Sequence, residues 1–228
     1  MLTKKKKLSR KEIKEDKLVS TYYKVYGYFE ENRSRLLMYV AILAVVVLAV
    51  MYYIDNRKEN NNTAGLELSR VMNIYDSGSY LEAIEGRQGT NIIGLKKIVE
   101  DYGSTENGEI AKIYLANSYN FLGKPDEAIK YYEDYSGSNN IFKATALAGE
   151  AGYYASKNEY KKSGDLYKQA SHISEENVLN PEYMLHAGIN YLKAGDTEEA
   201  KELFDTIKEE YNTSSAFREV EKYSTQIE

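Results

Sequence analysis

The 228-residue sequence contains no cysteine. That excludes a disulfide framework, thiol catalysis and a lipid-modified cysteine anchor. Histidine is almost as scarce. His172 and His186 are the only two; they fall in different predicted segments without obvious ligand partners and are read as surface or packing residues. Phosphate-loop, dinucleotide and zinc-hydrolase motifs are missing. The carboxylates, as in Asp126-Glu127 and Glu198-Glu199, stand where solvated helix faces are expected. No residue presents itself as catalytic, metal-binding or cofactor-binding, so the expectation is a protein that is not an enzyme and needs no cofactor.

One stretch lacks charge altogether. Leu36–Ile54 runs for 19 residues without a charged, Gly, Pro, Asn or Gln side chain. As a helix it would reach roughly 28 Å, close to the ~30 Å hydrocarbon core of a bilayer. Arg33 and Arg35 bound it on one side and Asp55, Arg57 and Lys58 on the other, with Tyr39, Tyr52 and Tyr53 near the ends where headgroups would lie. A buried core helix is the alternative, but core helices are rarely apolar on every face for about five turns. A cleaved signal peptide fits poorly, because 35 residues precede the run and no small-x-small site follows it. The expectation is a single N-terminal transmembrane helix.

Charge then gives the span a direction. Residues 1–36 carry eleven Lys/Arg against five acids, so that a total of −5 leaves −11 on the remainder. Basic residues flanking a span stay cytoplasmic, which predicts residues 1–35 inside and the acidic remainder outside. Lys4–Lys7 suit anionic headgroups, and their run lacks the aromatic interleaving of a nucleic-acid site. Ser9 and Glu12 fit a helix-capping box, after which Leu18, Tyr22, Tyr26 and Phe29 share one face of an amphipathic helix. That face can lie in the interface or dock on a membrane partner; a plain topology signal explains the segment equally well. Residues 55–63, polar and Asn-rich, read as a short linker. Asn61 and Asn212 open N-x-[ST] sequons of the kind an Asn-rich chain produces by chance.

From residue 64 to 228 the pattern repeats. Counting Glu109 as position 1, Leu115, Ala116, Tyr119, Gly123, Ala128 and Tyr132 fall at 7, 8, 11, 15, 20 and 24. Counting from Ala144, Leu147, Ala151, Tyr154, Ser163, Tyr167 and Ala170 fall at 4, 8, 11, 20, 24 and 27. Counting from Pro181, Gly188, Tyr191, Gly195, Ala200 and Phe204 fall at 8, 11, 15, 20 and 24. The starts are 35 and 37 residues apart. Small residues at 8 and 20 would let two helices approach closely, and the aromatics would fill the space beside them. The middle copy departs with Glu150 at position 7, and no copy has a proline at position 32. A degenerate unit begins near Ala64, with Gly78, Tyr80 and Ala83 as its turn and second-helix start. About eleven inserted residues around Gly86, Gly89 and Gly94 then break or double that helix. The segment after Tyr211 reads as a capping helix.

LANSYNFLGKPDEAIKYYE and AGINYLKAGDTEEAKELFD resemble the tetratricopeptide repeat, a helical hairpin of about 34 residues. The resemblance implies an all-α solenoid of residues 64–228 whose binding surface is the concave face, lined by positions 2, 5, 9, 12 and 13 of each first helix. The candidate peptide-binding residues are then Ile110, Ile113, Asn117, Asn120, Phe121, Ala148, Gly152, Leu185, Ile189 and Leu192. Thr145, Ala155, Ser156, Glu182 and Lys193 complete the same positions. The basic clamp that some such domains use for a terminal carboxylate is missing, since Ile113 and Gly149 stand in key slots. The groove is expected to be apolar and small, either open to an extended or helical apolar segment of another protein or filled by the insertion or the last helix.

The full layout, a basic helix, one span and an acidic repeat domain, resembles the YfgM-like ancillary subunits of the SecYEG translocon. That resemblance implies a single-pass protein of the bacterial cytoplasmic membrane with a periplasmic domain. Its partners would be the translocon, periplasmic chaperones or exported clients, and its work a scaffold or chaperone accessory for secretion and folding. A signalling protein that senses envelope state, or a structural subunit of an envelope assembly, would have the same layout. Ala41, Ala44 and Ala49 are the small residues of the span that can admit another helix.

Overall fold

The computed structural model describes residues 10–224, so Lys4–Lys7, the Ser9 cap and residues 225–228 lie outside the described part. Contacts divide the chain into two compact units, Met1–Asn56 and Arg57–Glu228. In the first, α1 (Arg10–Glu31) is followed after Asn32 by α2 (Arg33–Asp76). The Asn32 amide and side-chain nitrogen both donate to the Tyr28 carbonyl, at 3.0 Å each. Tyr22, Tyr26 and Phe29 of α1 are exposed, as are Val19, Tyr23, Val25 and Tyr28, and the Tyr22 and Tyr26 rings stack at 6.2 Å; the Leu18 side chain lies outside the described part. Of the described helices α2 alone is long and apolar enough to cross a membrane, and none of its most apolar window is buried.

Residues 55–63, expected to be a linker, are helical within α2. Two causes are visible. The stretch holds no Gly or Pro and sits between two strong helix formers, so extending the helix avoids a second nucleation. Asn61 is also used: its side-chain oxygen accepts from the Asn107 amide at 2.8 Å, and its carbonyl from the Asn107 side chain at 2.9 Å. It thereby satisfies a donor in the first turn of α5 (Glu106–Phe121) that has no partner within that helix.

In the second unit the repeats appear as helix pairs. The C-terminal part of α2 pairs with the divided second helix α3 (Tyr80–Glu85) and α4 (Leu95–Tyr102). Then come α5 with α6 (Pro125–Glu133), α7 (Asn140–Ser156) with α8 (Tyr160–Ser171), and α9 (Asn180–Ala194) with α10 (Thr197–Glu210). The helix α11 (Ser215–Ser224) packs on α9 and α10 and buries Ala216 and Val220. Between α3 and α4 the inserted residues fold into a tight loop with one antiparallel bridge, Gly86 to Ile93. Each pair turns at position 15 through a left-handed residue: Gly78, Gly123, Asn158 and Gly195. Asparagine tolerates that conformation better than other side chains, so the middle repeat keeps the turn without glycine.

The core follows the repeat positions. Ala116 and Ala128, Ala151 and Ser163, and Gly188 and Ala200 are all buried. Ser163 Oγ donates to the Ala151 carbonyl at 2.8 Å, which removes the penalty of a buried hydroxyl. A buried ion pair was not legible in the sequence. Lys112 Nζ lies 2.9 Å from Glu109 Oε1 and 2.8 Å from Asp134 Oδ2, and Glu109 accepts from the Ser136 amide and hydroxyl at 2.8 Å each. Burial alone would lower the Lys112 pKa; the bonds to Asp134 and Glu109 outweigh it and leave the pKa raised. The pair ties α5 to the loop between α6 and α7.

Gly188 is required by contact rather than by backbone conformation. A Cβ there would come within 2.3 Å of Phe204 Cε1. Gly188→Ala should lower stability by about 1–3 kcal/mol. Adding Phe204→Leu should recover part of that loss, read from thermal melts of the single and double variants.

Candidate functional site

The first helices of the repeats form one layer: the end of α2, then α5, α7 and α9. Within it the residues expected to line a groove separate into two groups. Ile113 and Leu185 are each 1% exposed and belong to the core, Ile113 against Ala128, Tyr132 and Ala146, Leu185 against Ala216 and Val220. Helix α11 and the second helices cover them, so they are packing residues and not ligand contacts. Ile110 is half-buried on the first cluster, and Ile189 and Leu192 on the last. Ala148, Gly152, Thr145 and Ala155 are half-buried, whereas Asn120, Phe121, Ser156 and Lys193 are exposed. Asn117 accepts a bond from Tyr132 Oη at 2.6 Å, and Glu182 accepts one from Ser215 Oγ.

Of these residues Phe121 belongs to a row of aromatic rings. Phe121 stacks on Tyr80 at 4.5 Å; Tyr80 meets Tyr75 at 5.5 Å, Tyr75 meets Tyr114 at 5.0 Å, and Tyr114 meets Phe142 at 6.1 Å. This row joins α2, α3, α5 and α7. Phe121 is 64% exposed, while the other four rings are half-buried; Tyr75 and Tyr114 pack on the first core cluster and Phe142 on the cluster of Ile113. Burial pushes the Tyr75 and Tyr114 hydroxyls above their ordinary pKa, and the Asp76 carboxylate adds to both shifts. They remain neutral donors at physiological pH. Tyr132 beneath them is shifted the same way, mainly by burial.

Sequence reasoning found Phe121 but missed Tyr75, Tyr80, Tyr114 and Phe142. The signal was present as an excess of 23 tyrosines. It was hidden because Tyr114 and Phe142 fall outside the positions that define the repeat, and Tyr75 belongs to the degenerate unit. Ile92 and Ile93 of the insertion pack on the first cluster, as do Tyr75 and Tyr114, and α11 packs on α9 and α10. His172 Nδ1 lies 2.7 Å from the Lys168 carbonyl, and His186 contacts the Tyr167 ring at 5.2 Å. Among the described residues no group of three or more His, Cys, Asp or Glu is placed to hold a metal ion.

Residues 182–214 match the tetratricopeptide repeat family. A solved structure, a Podosopora anserina kinesin light chain with nearly identical TPR-like repeats, is similar over 73% of this chain and 93% of its own, at 14% identity and a TM-score of 0.53. At that identity the likeness shows the fold: an all-helical, tetratricopeptide-like solenoid. No curated protein matches.

The two groups of residues separate in a stability assay. Leu185→Ala should cost about 2–5 kcal/mol. Phe121→Ala, which loses only a surface ring stack, should cost about 0.5–1.5 kcal/mol. Denaturant melts distinguish these outcomes, and equal costs would return Leu185 to the surface.

Proposed function

We propose that this chain is a membrane-anchored, non-catalytic scaffold that presents its repeat domain at the outer face of the bacterial cytoplasmic membrane. Tetratricopeptide-like solenoids are protein-interaction scaffolds, and the observation that carries the reading here is the aromatic row that joins α2, α3, α5 and α7 and ends in the exposed Phe121. Aromatic side chains give large contact area at low conformational cost, which is why they dominate protein interfaces. Anchoring is supported by the unburied apolar stretch of α2, and the orientation by the basic residues that precede it. Partners of the secretion machinery, meaning the SecYEG translocon, periplasmic chaperones or exported clients, are supported by the layout alone. A tether beside such a partner would raise the effective concentration and let weak contacts suffice.

Purification of the full chain in mild detergent, with the span intact, should recover translocon or chaperone subunits by mass spectrometry. Their absence, with other envelope proteins in their place, would sink the secretion role. One observation favours a second, regulatory reading: the exposed Tyr22, Tyr23, Tyr26 and Phe29 on α1. Deleting residues 1–30 should leave insertion and partner capture intact if α1 is only a topology signal. Loss of a signalling output with insertion preserved would favour regulation.

A further inference from the structure

We infer that the aromatic row takes a cationic segment of a protein partner, with arginine or lysine side chains laid against its rings. This rests on the protein-binding reading above and gives the partner its chemistry.

The chain itself shows how its tyrosines accept cations. Lys162 Nζ lies 3.4 Å from the centroid of the Tyr154 ring, Lys157 5.0 Å from Tyr153, Lys193 5.3 Å from Tyr160 and Lys161 5.5 Å from Tyr191. All four rings belong to α7, α8 and α9, the later part of the solenoid. None is a member of the row, so the early part presents the same kind of ring without a lysine of its own among these contacts. Cation–π attraction is worth about 0.5–2 kcal/mol per contact, more where water is excluded.

Charge points the same way. Asp76 follows Tyr75 directly, and its negative charge is felt at the hydroxyls of both Tyr75 and Tyr114. The sequence after residue 36 carries a net −11. An acidic segment would be repelled.

The test uses the full chain in nanodiscs of zwitterionic lipid and fluorescent ten-residue peptides with a Gly/Ser background. One peptide has arginine at alternate positions; the matched peptides have citrulline or glutamate there. The arginine peptide should bind at least about 10-fold tighter than the citrulline peptide, and the glutamate peptide not at all. Tyr114→Leu and Asp76→Asn should each weaken arginine-peptide binding by about 2–30-fold, the range that 0.5–2 kcal/mol implies. Glu198→Gln on the distant α10 should leave it within twofold. Circular dichroism checks each variant, and Tyr80→Leu replaces Tyr114→Leu if that variant fails to fold. Equal binding of arginine and citrulline peptides would overturn the inference, as would a loss with Glu198→Gln as large as with Asp76→Asn. Either result would leave the protein-binding reading standing, because that reading fails only if the full chain captures no partner.

Discussion

The close approach of paired helices at repeat positions 8 and 20 is the constraint on which the rest of this structure depends. Ala116 and Ala128, Ala151 and Ser163, and Gly188 and Ala200 are all buried, and a Cβ on Gly188 would run into the Phe204 ring. Small residues there contribute little apolar area themselves. Their effect is to bring two backbones close enough that the aromatic at position 24 has a wall to pack on, and that aromatic supplies the burial. Phe204 is 1% exposed and Tyr132 3%. A fully buried ring of this size stabilises by roughly 1.5–3 kcal/mol relative to exposure; Phe204 and Tyr132 contribute on that scale and the half-buried Tyr167 less.

The same constraint explains which parts of the fold were legible in the sequence. Positions 8, 15 and 20 sit where the two helices of one repeat meet or turn, so their residue types carry the pattern directly. Asn158 shows the limit of literal matching, since it fills the turn position with the right backbone conformation and a different residue. The linker was misread for a different reason. Asn-rich sequence argues for irregular structure only when nothing holds it, and Asn61 is held by Asn107, 46 residues away. The buried Glu109–Lys112 pair was equally opaque, because an i,i+3 pair of opposite charge is normally a solvated one. Only the loop from Asp134 to Ser136 folding over it makes it buried.

The candidate surface was the least legible part. Ile113 and Leu185 occupy positions that line a groove in the general repeat, yet neighbouring helices cover both here. Groove residues depend on contacts between repeats, and those depend on what each neighbour offers, which no single repeat encodes.

Position 6 shows how this works along the chain. In the third repeat it is His186, whose ring packs on Tyr167 from position 24 of the repeat before. In the second it is Gly149, where a Cβ would come within 2.4 Å of the Tyr132 ring, so the preceding aromatic occupies the slot itself. In the first it is Tyr114, and the preceding unit has Arg87 at position 24, inside the inserted loop. With no aromatic arriving from the second helix, Tyr114 meets Tyr75 across the first-helix layer instead. The insertion that breaks the repeat is therefore what leaves rings on the surface. In the later repeats the aromatics pack internally or lie beside the chain's own lysines, whereas in the irregular part they pack on one another in a row.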